Sequence, residues 1–321
     1  MADEKNKKEG KEPEGSGGSE VGATTHVDSD EIKASRAYEE RGKQAILTVI
    51  AGVQTGLTVP FNGVTLTGGR DPECDLPLVG RGISRTHFLI EPRQDRALVI
   101  SDLGSTNGIY VNGEKVQQHL LKEGDRIHIG PETVLKFGIE DVTDVRIRVR
   151  QYEESIRDDL TGIFNRRYFM STLKHELAFC QRHDDHVSVI LFDVDDFKRV
   201  NDQHGHPAGD IVIKRLADGL TDHLRTEDVL ARYGGEEFAV ILRGQDELRA
   251  LQTAERIRNF VEQLKIDLEG TEMSLTVSLG TSTLRSGGPG SVEEMMEEAD
   301  RNLYEAKAQG KNRTVGTIKD Q

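Results

Sequence analysis

The sequence predicts two folded domains in tandem, an all-β sandwich followed by an α+β domain built on a central, mainly antiparallel sheet. Three observations predict this. The 321 residues are enough for two domains of ordinary size plus a tail. From Ala45 to Ile139, short β-branched runs such as AILTVIAG, FLIEP, ALVISDL and RIHIG alternate with Gly, Asn, Asp and Pro turn signals, as in a sandwich. From Asp159 onward, strands interleave with amphipathic helices and include a tight hairpin, as in an α+β domain.

Residues 1–44 mix Lys, Glu, Gly and Ser with almost no aromatics, and the expectation is a disordered tail that buries too little apolar surface to offset its ordering entropy. The sandwich is assigned to 45–140. Residues 141–158 follow as a linker helix, with Val142, Val145, Val149, Tyr152 and Ile156 spaced alternately by three and four. That stripe either pairs with a second copy of the chain or docks on its own domain. The α+β domain is assigned to 159–317. Its helices are read in YFMSTLKHELAFCQRH, DIVIKRLADGLTDHL, ELRALQTAERIRNFVEQL and SVEEMMEEADRNLYEAKAQG, and its strands in VSVILFDVDDF and MSLTVSLGTSTL. The hairpin DVLARYGGEEFAVILR turns at Gly234-Gly235.

A net charge of −14 argues against a nucleic-acid surface, because phosphate-backbone binding needs a basic face. No stretch approaches the roughly 18 apolar residues that span a bilayer, and the polar N-terminus lacks the apolar core of a secretion signal. Cys74 and Cys180 lie far apart without metal-ligand spacing and read as buried thiols of a reducing compartment. The expected location is cytoplasmic, without membrane or nucleic-acid partners.

The apolar run Val189–Phe192 ends in Asp193, followed by Asp195 and Asp196, while the hairpin turn carries Glu236 and Glu237 behind two glycines. Carboxylates just past a buried strand are costly unless solvated, paired or bound to a cation. If the two strands are neighbours, Asp193 and Glu236 converge on one site suited to Mg²⁺, a hard cation that takes few protein oxygens plus substrate phosphates. A solvated acidic loop is the plainer alternative. The glycines leave the turn open to close approach by a substrate.

RYGGEEF at 232–238 resembles the signature of GGDEF-domain diguanylate cyclases. The similarity extends through DLTGIFNRR from Asp159, FDVDDFK from Phe192, Asn201-Asp, GHPAGD from Gly205 and ADRNLYEAK from Ala299. The resemblance covers about half the chain and implies a palm-like, ferredoxin-like fold. It implies an enzyme that condenses two GTP into cyclic di-GMP and pyrophosphate at the interface of a homodimer, with two Mg²⁺ ions per active site. On matching positions, Asp193, Glu236 and the carbonyl of Val194 hold the metal. Glu237 assists deprotonation of the ribose hydroxyl. Asn201 and Asp210 read the guanine edge, which rejects adenine by leaving buried polar groups unpaired. Lys198, Lys307 and Lys311 contact the triphosphate, and Lys311 stands where many relatives have Arg, so a single-point contact replaces a bidentate one. His204 and His206, flanked by Gly and Pro, read as turn residues. RTED at 225–228 sits at the offset of the family's inhibitory product site, where Arg225 and Asp228 bind cyclic di-GMP. A helix-end ion pair is the plainer reading of the same two residues.

Gly69-Arg70, SRTH at 84–87, STNG at 105–108 and VNG at 111–113 resemble the FHA domain, whose loops bind phosphothreonine peptides. The resemblance implies that Arg70, Ser84, Arg85 and Thr106 contact the phosphate, that Asn107 holds the peptide backbone, and that His87 braces the loop. The phosphopeptide belongs either to another protein or to the tail itself, where Thr25-His-Val-Asp28 has a suitable form and Thr24 is the weaker phosphosite. The expected activity is therefore a diguanylate cyclase controlled by phosphothreonine and by its product. A catalytically silent cyclic di-GMP receptor and phosphopeptide scaffold is the alternative, disfavoured by the intact turn and the presence of Asp193, Lys198, Asn201 and Asp210.

Overall fold

In the first half of the chain, inward-facing β-branched and aromatic side chains close two sheets over one core. The computed structural model describes residues 42–93, 97–183, 185–268, 271–285 and 290–316. The strands are β1 (Lys43–Ala51), β2 (Thr58–Pro60), β3 (Leu66–Gly69), β4 (Leu76–Pro77), β5 (Phe88–Pro92), β6 (Leu98–Asp102), β7 (Ile109–Val111), β8 (Glu114–Val116), β9 (Gln118–Leu120), β10 (Arg126–Ile129) and β11 (Thr133–Asp141). One sheet runs β2-β1-β11-β10-β7-β8 and the other β4-β3-β5-β6-β9. Phe88 and Ile90 of β5, Ile109 and Val111 of β7, and Ile127 and Ile129 of β10 alternate inward with the period of two that a pleated strand imposes. Burying each such side chain stabilises the fold by roughly 1.5–3 kcal/mol. The loops at one end of this sandwich carry the SRTH and STNG runs.

Helix α1 (Val142–Ile156) begins without a gap after β11, and Asp141 caps it by accepting from Thr143 N–H at 2.8 Å. Val142, Val145 and Val149 face Gln44, Pro60 and Asn62, with Val145 fully buried, while the ring of Tyr152 packs on Gly56. Part of the helical stripe therefore docks on its own sandwich. Ile147 lies on the outer face, 51% exposed.

The second domain contains β12 (Phe164–Asn165), α2 (Arg166–His183), β13 (His186–Val194), α3 (Phe197–His204), α4 (His206–Thr221), β14 (Val229–Arg232), β15 (Glu237–Arg243), α5 (Glu247–Gln263), β16 (Lys265–Leu268), β17 (Thr271–Ser274), β18 (Val277–Arg285), α6 (Val292–Ala308) and β19 (Thr314–Gly316). Its sheet runs β12-β14-β15-β13-β18-β19, with β13 antiparallel to both neighbours and parallel pairs only at the two edges. Alternation along β13 sends Val187, Val189 and Leu191 toward α2 and α6. Ile190, Phe192 and Val194 point the opposite way, toward α4 and α5. Helices thus cover both faces, and the strand ends in acidic residues where the apolar cover stops.

Two details depart from the sequence reading. MSLTVSLGTSTL is two strands rather than one, with β17 paired to β16 in a separate hairpin. The break falls where Asp195 N–H bonds to Thr276 O at 2.9 Å and the Asp195 carboxylate accepts from Thr276 Oγ1 at 2.7 Å, which draws the chain out of line. Helix α3 was not assigned from sequence. It starts after Asp196, whose φ of 56° turns the chain sharply away from β13.

Candidate functional site

The tip of β13 places Asp193 opposite Glu237 of β15 and Ser278 of β18. Asp193 shares the face of Val189 and Leu191, so its buried carboxylate meets α6, and Lys307 Nζ lies 2.9 Å from Oδ1. Burial pushes the Asp193 carboxyl up, against the opposing pull of Lys307. Glu236 sits half-buried in the turn between β14 and β15, and its carboxyl is pushed up by burial first and by the Asp193 charge next. Val194 N–H donates to Glu236 O at 3.3 Å, which ties the turn to the strand tip. Two repelling carboxylates and one ammonium therefore share a corner with the Val194 backbone, a donor set of hard oxygens that fits a divalent cation such as Mg²⁺. Among the described residues, no group of three or more Asp, Glu, His or Cys gathers into a self-sufficient metal cage.

The turn is shaped by Arg232, a residue that the sequence reading gave no role. Its guanidinium donates to Gly234 O (3.2 Å) and Gly235 O (2.8 and 3.1 Å) and to both carboxylate oxygens of Asp158 (3.2 and 3.3 Å). Asp158 stands one position before the DLTG run, just outside the assigned domain, and also accepts from Thr161. A Cβ on Gly234 would lie 2.5 Å from Glu237 Oε2, so a side chain there would displace the Glu237 carboxylate. Glu237 itself is exposed.

Asn201 lies on α3 and Asp210 on α4, and the two helices pack closely beside Gly209. A Cβ on Gly209 would come within 2.0 Å of Asn201 Oδ1. His204 and His206 flank the helix junction at Gly205 (φ 83°). Lys198 is exposed on α3, and Lys311, in a left-handed conformation, pairs with Asp196. Asp195 turns away from this group. Its buried carboxylate accepts from Thr276 Oγ1 (2.7 Å), Ser278 Oγ (2.6 Å) and Asn312 N–H (3.0 Å), bracing β18 and the loop that carries Lys311.

Arg225 and Asp228 close one turn, with the Arg225 N–H on Asp228 Oδ2 at 3.1 Å and the Asp228 N–H on Arg225 O at 3.1 Å. The exposed Arg225 guanidinium reaches Glu227 (3.8 Å), and burial pushes the Asp228 carboxyl up.

On the sandwich, Arg70, Ser84, Arg85, Thr106 and Asn107 line one cleft of about 800 Å³, together with Arg81, which the sequence reading passed over. Arg70 N–H donates to Ser84 O (2.9 Å) and Thr106 N–H to Ser84 Oγ (3.1 Å). Asn107 Nδ2 donates to Gly82 O (2.8 Å). His87 is fully buried, accepts from Ser84 N–H at Nδ1 (3.0 Å) and reaches Gly108 O through Nε2 (3.3 Å). Those partners assign the neutral ring with its proton on Nε2, and burial holds its pKa down. The Arg70 guanidinium rests on the ring of Phe179 from α2, 4.1 Å from the centroid. Thr24 and Thr25 lie outside the described residues.

Comparison with known proteins gives two family matches. Residues 155–313 match the diguanylate cyclase, GGDEF domain family, and residues 66–130 match the FHA domain. Over 157 residues, the chain is 38% identical to the diguanylate cyclase DosC of Escherichia coli K12, covering 49% of this chain and 34% of DosC. It is 39% identical over 166 residues to the response regulator PleD of Caulobacter vibrioides, covering 51% of this chain and 36% of PleD. The chain thus spans about a third of the length of these curated relatives. Among solved structures, the coiled coil and GGDEF domain of DgcB from Caulobacter crescentus, in complex with c-di-GMP, aligns with a TM-score of 0.51 at 30% identity, covering 55% of this chain and 93% of that one.

Proposed function

With the chain established as an FHA domain joined to a GGDEF domain, we propose that it condenses two GTP molecules into cyclic di-GMP and two pyrophosphates. In each half-reaction the 3′-hydroxyl of one GTP attacks the α-phosphate of the other and pyrophosphate leaves. Each GGDEF domain binds one GTP, so two copies of the chain face each other across a two-fold axis. The observation that carries this reading is the Asp193–Glu236 corner, where two mutually repelling carboxylates meet Lys307 at an open glycine turn.

Asp193, Glu236 and the Val194 carbonyl are the residues to hold Mg²⁺, two ions per site in this reading. When bound, the metal supplies a counter-charge for the reacting phosphate oxygens. In this reading Lys198, Lys307 and Lys311 contact the triphosphate, supported by the position of the Lys307 ammonium beside Asp193. Asn201 and Asp210 offer the donor and acceptor that a guanine edge requires. Glu237, exposed beside the turn, is placed to take the proton of the attacking hydroxyl. Arg225 and Asp228 form the product-binding turn, and the FHA loops read a phosphothreonine peptide through Arg70, Ser84, Arg85, Thr106 and Asn107. That peptide is from another protein or is the phosphorylated Thr25 segment of the tail.

The test is to incubate the purified chain with GTP and Mg²⁺ and resolve the products by chromatography. Cyclic di-GMP is expected from the wild type and not from Asp193→Asn. Retention of GTP without turnover by the wild type would overturn the enzyme reading in favour of a silent receptor.

A further inference from the structure

Arginine binds phosphate through the N–H edge of its guanidinium, whereas stacking on an aromatic ring uses the flat face. Arg70 Cζ stands over the ring of Phe179, 4.1 Å from its centroid, and a guanidinium held there by its face keeps its N–H edge for a phosphate. Phe179 belongs to α2 of the GGDEF domain, yet its half-buried side chain walls the same cleft as Ser84, Thr106 and Asn107. Glu176, one turn earlier on α2, adds a carboxylate close enough to act on Arg70 and is itself held 3.0 Å from Arg243. Packing against the second domain strips water from Arg70 and holds its pKa below the usual arginine value, but a guanidinium remains charged.

We infer that Phe179 is part of the phosphothreonine-binding site: the ring fixes the Arg70 fork in one orientation, so that the FHA domain reads phosphothreonine at full affinity only while docked on the GGDEF domain. This rests on the phosphothreonine reading of the FHA loops. An unstacked arginine samples many rotamers and loses that freedom on binding; a stacked one has lost it beforehand. Coupling of this kind is reciprocal. A phosphopeptide that prefers the docked arrangement tightens the Arg70–Phe179 contact by the same factor. Its effect enters α2, whose Phe169, Leu173 and Leu177 pack in one cluster with Val187, Val189 and Leu191 of β13, the strand that ends at Asp193.

The chain contains no tryptophan, so Phe179→Trp creates a single tryptophan, excitable apart from the tyrosines, at the contact. The probe is a degenerate peptide pool with one fixed phosphothreonine, compared with the unphosphorylated pool, on the full-length chain. The wild type is expected to prefer the phosphorylated pool, and Phe179→Ala to bind it about fivefold more weakly. Phe179→Trp keeps near wild-type affinity, and its emission shifts on titration with the phosphorylated pool; with Arg70→Ala added, the shift is absent. Equal affinities for wild type and Phe179→Ala, or a silent tryptophan in a protein that binds the pool, overturn the inference and leave the FHA reading standing. A wild type that does not distinguish the two pools overturns the FHA reading, and the inference falls with it.

Discussion

Lys307 Nζ lies 2.9 Å from Asp193 Oδ1, so the last helix of the GGDEF domain delivers an ammonium to the buried carboxylate at the strand tip. A charge-assisted hydrogen bond of this kind contributes about 2 kcal/mol, which is roughly thirtyfold in an equilibrium or rate. Lys307→Met is expected to lower kcat/KM for GTP by about that factor, since in the proposed site the same ammonium contacts the triphosphate. Steady-state kinetics of pyrophosphate release measure it, and an unchanged kcat/KM would remove Lys307 from the site.

Glu236 is held in an unfavourable place by burial and by the Asp193 charge. Removing its charge should therefore abolish function while helping the fold. Glu236→Gln is expected to lower turnover by at least about a hundredfold. In Mg²⁺-free buffer at neutral pH it should raise the thermal midpoint by a few degrees, on the order of 1 kcal/mol. A midpoint that falls in the variant would contradict the repulsion between the two carboxylates.

Asp195→Ala leaves Thr276 Oγ1, Ser278 Oγ and the Asn312 amide without their shared acceptor. The expected cost is about 3 kcal/mol, seen as a lower urea midpoint with an unchanged slope. KM for GTP should rise as well, because the loop carrying Lys311 loses its anchor. Asp195→Asn, which keeps an acceptor oxygen, should recover part of both effects.

His87 is neutral and buried, with its folded pKa held below the ordinary value of about 6.5. A depressed histidine pKa means that the unfolded chain binds the proton more tightly. The contribution to stability is thus present above about pH 6.5 and is lost as pH falls through the folded pKa. Thermal midpoints recorded downward from pH 7 should decline in the wild type, and His87→Gln should start lower and decline less steeply. Parallel curves for the two proteins would show that His87 does not titrate on unfolding.

Arg225 is exposed and, among the described residues, its guanidinium pairs with Glu227 at a long 3.8 Å, so it can turn toward a bound anion. Arg225→Ala is expected to leave initial rates unchanged and to keep progress curves linear to higher product concentrations. Titrating cyclic di-GMP into the assay is the direct check. Inhibition equal to that of the wild type would place the product site elsewhere.

The fold class was legible because alternation of two, unbroken apolar runs and helical spacing are written into the chain; β7 and β10 show the first, β13 the second, and α2 and α6 the third. What stayed illegible depended on direction after a strand ends. Asp193, Asp195 and Asp196 look alike in sequence, yet one faces α6, one turns inward to brace Thr276 and Ser278, and one meets Lys311. No local signal separates them, because the choice is made by residues about 80 or more positions away. Asp158 escaped notice because its partner, Arg232, is brought to it only when β12 and β14 pair. Phe179 read as one more apolar residue on an amphipathic helix. The sequence offered no sign that it meets Arg70, because that contact crosses from one domain to the other.

The path from sandwich to signature turn has one further consequence. β11 ends at Asp141 and α1 begins at Val142, whose N–H bonds to Gly42 O at 3.0 Å, and α1 is pinned to the sandwich through Val145. Two residues past its other end, Asp158 grips Arg232, and Arg232 grips the carbonyls of Gly234 and Gly235. The sandwich and the glycine turn are therefore joined by a run of contacts with only Arg157 between the end of α1 and Asp158. The sandwich is in this way keyed to the turn beside the carboxylates through a single helix.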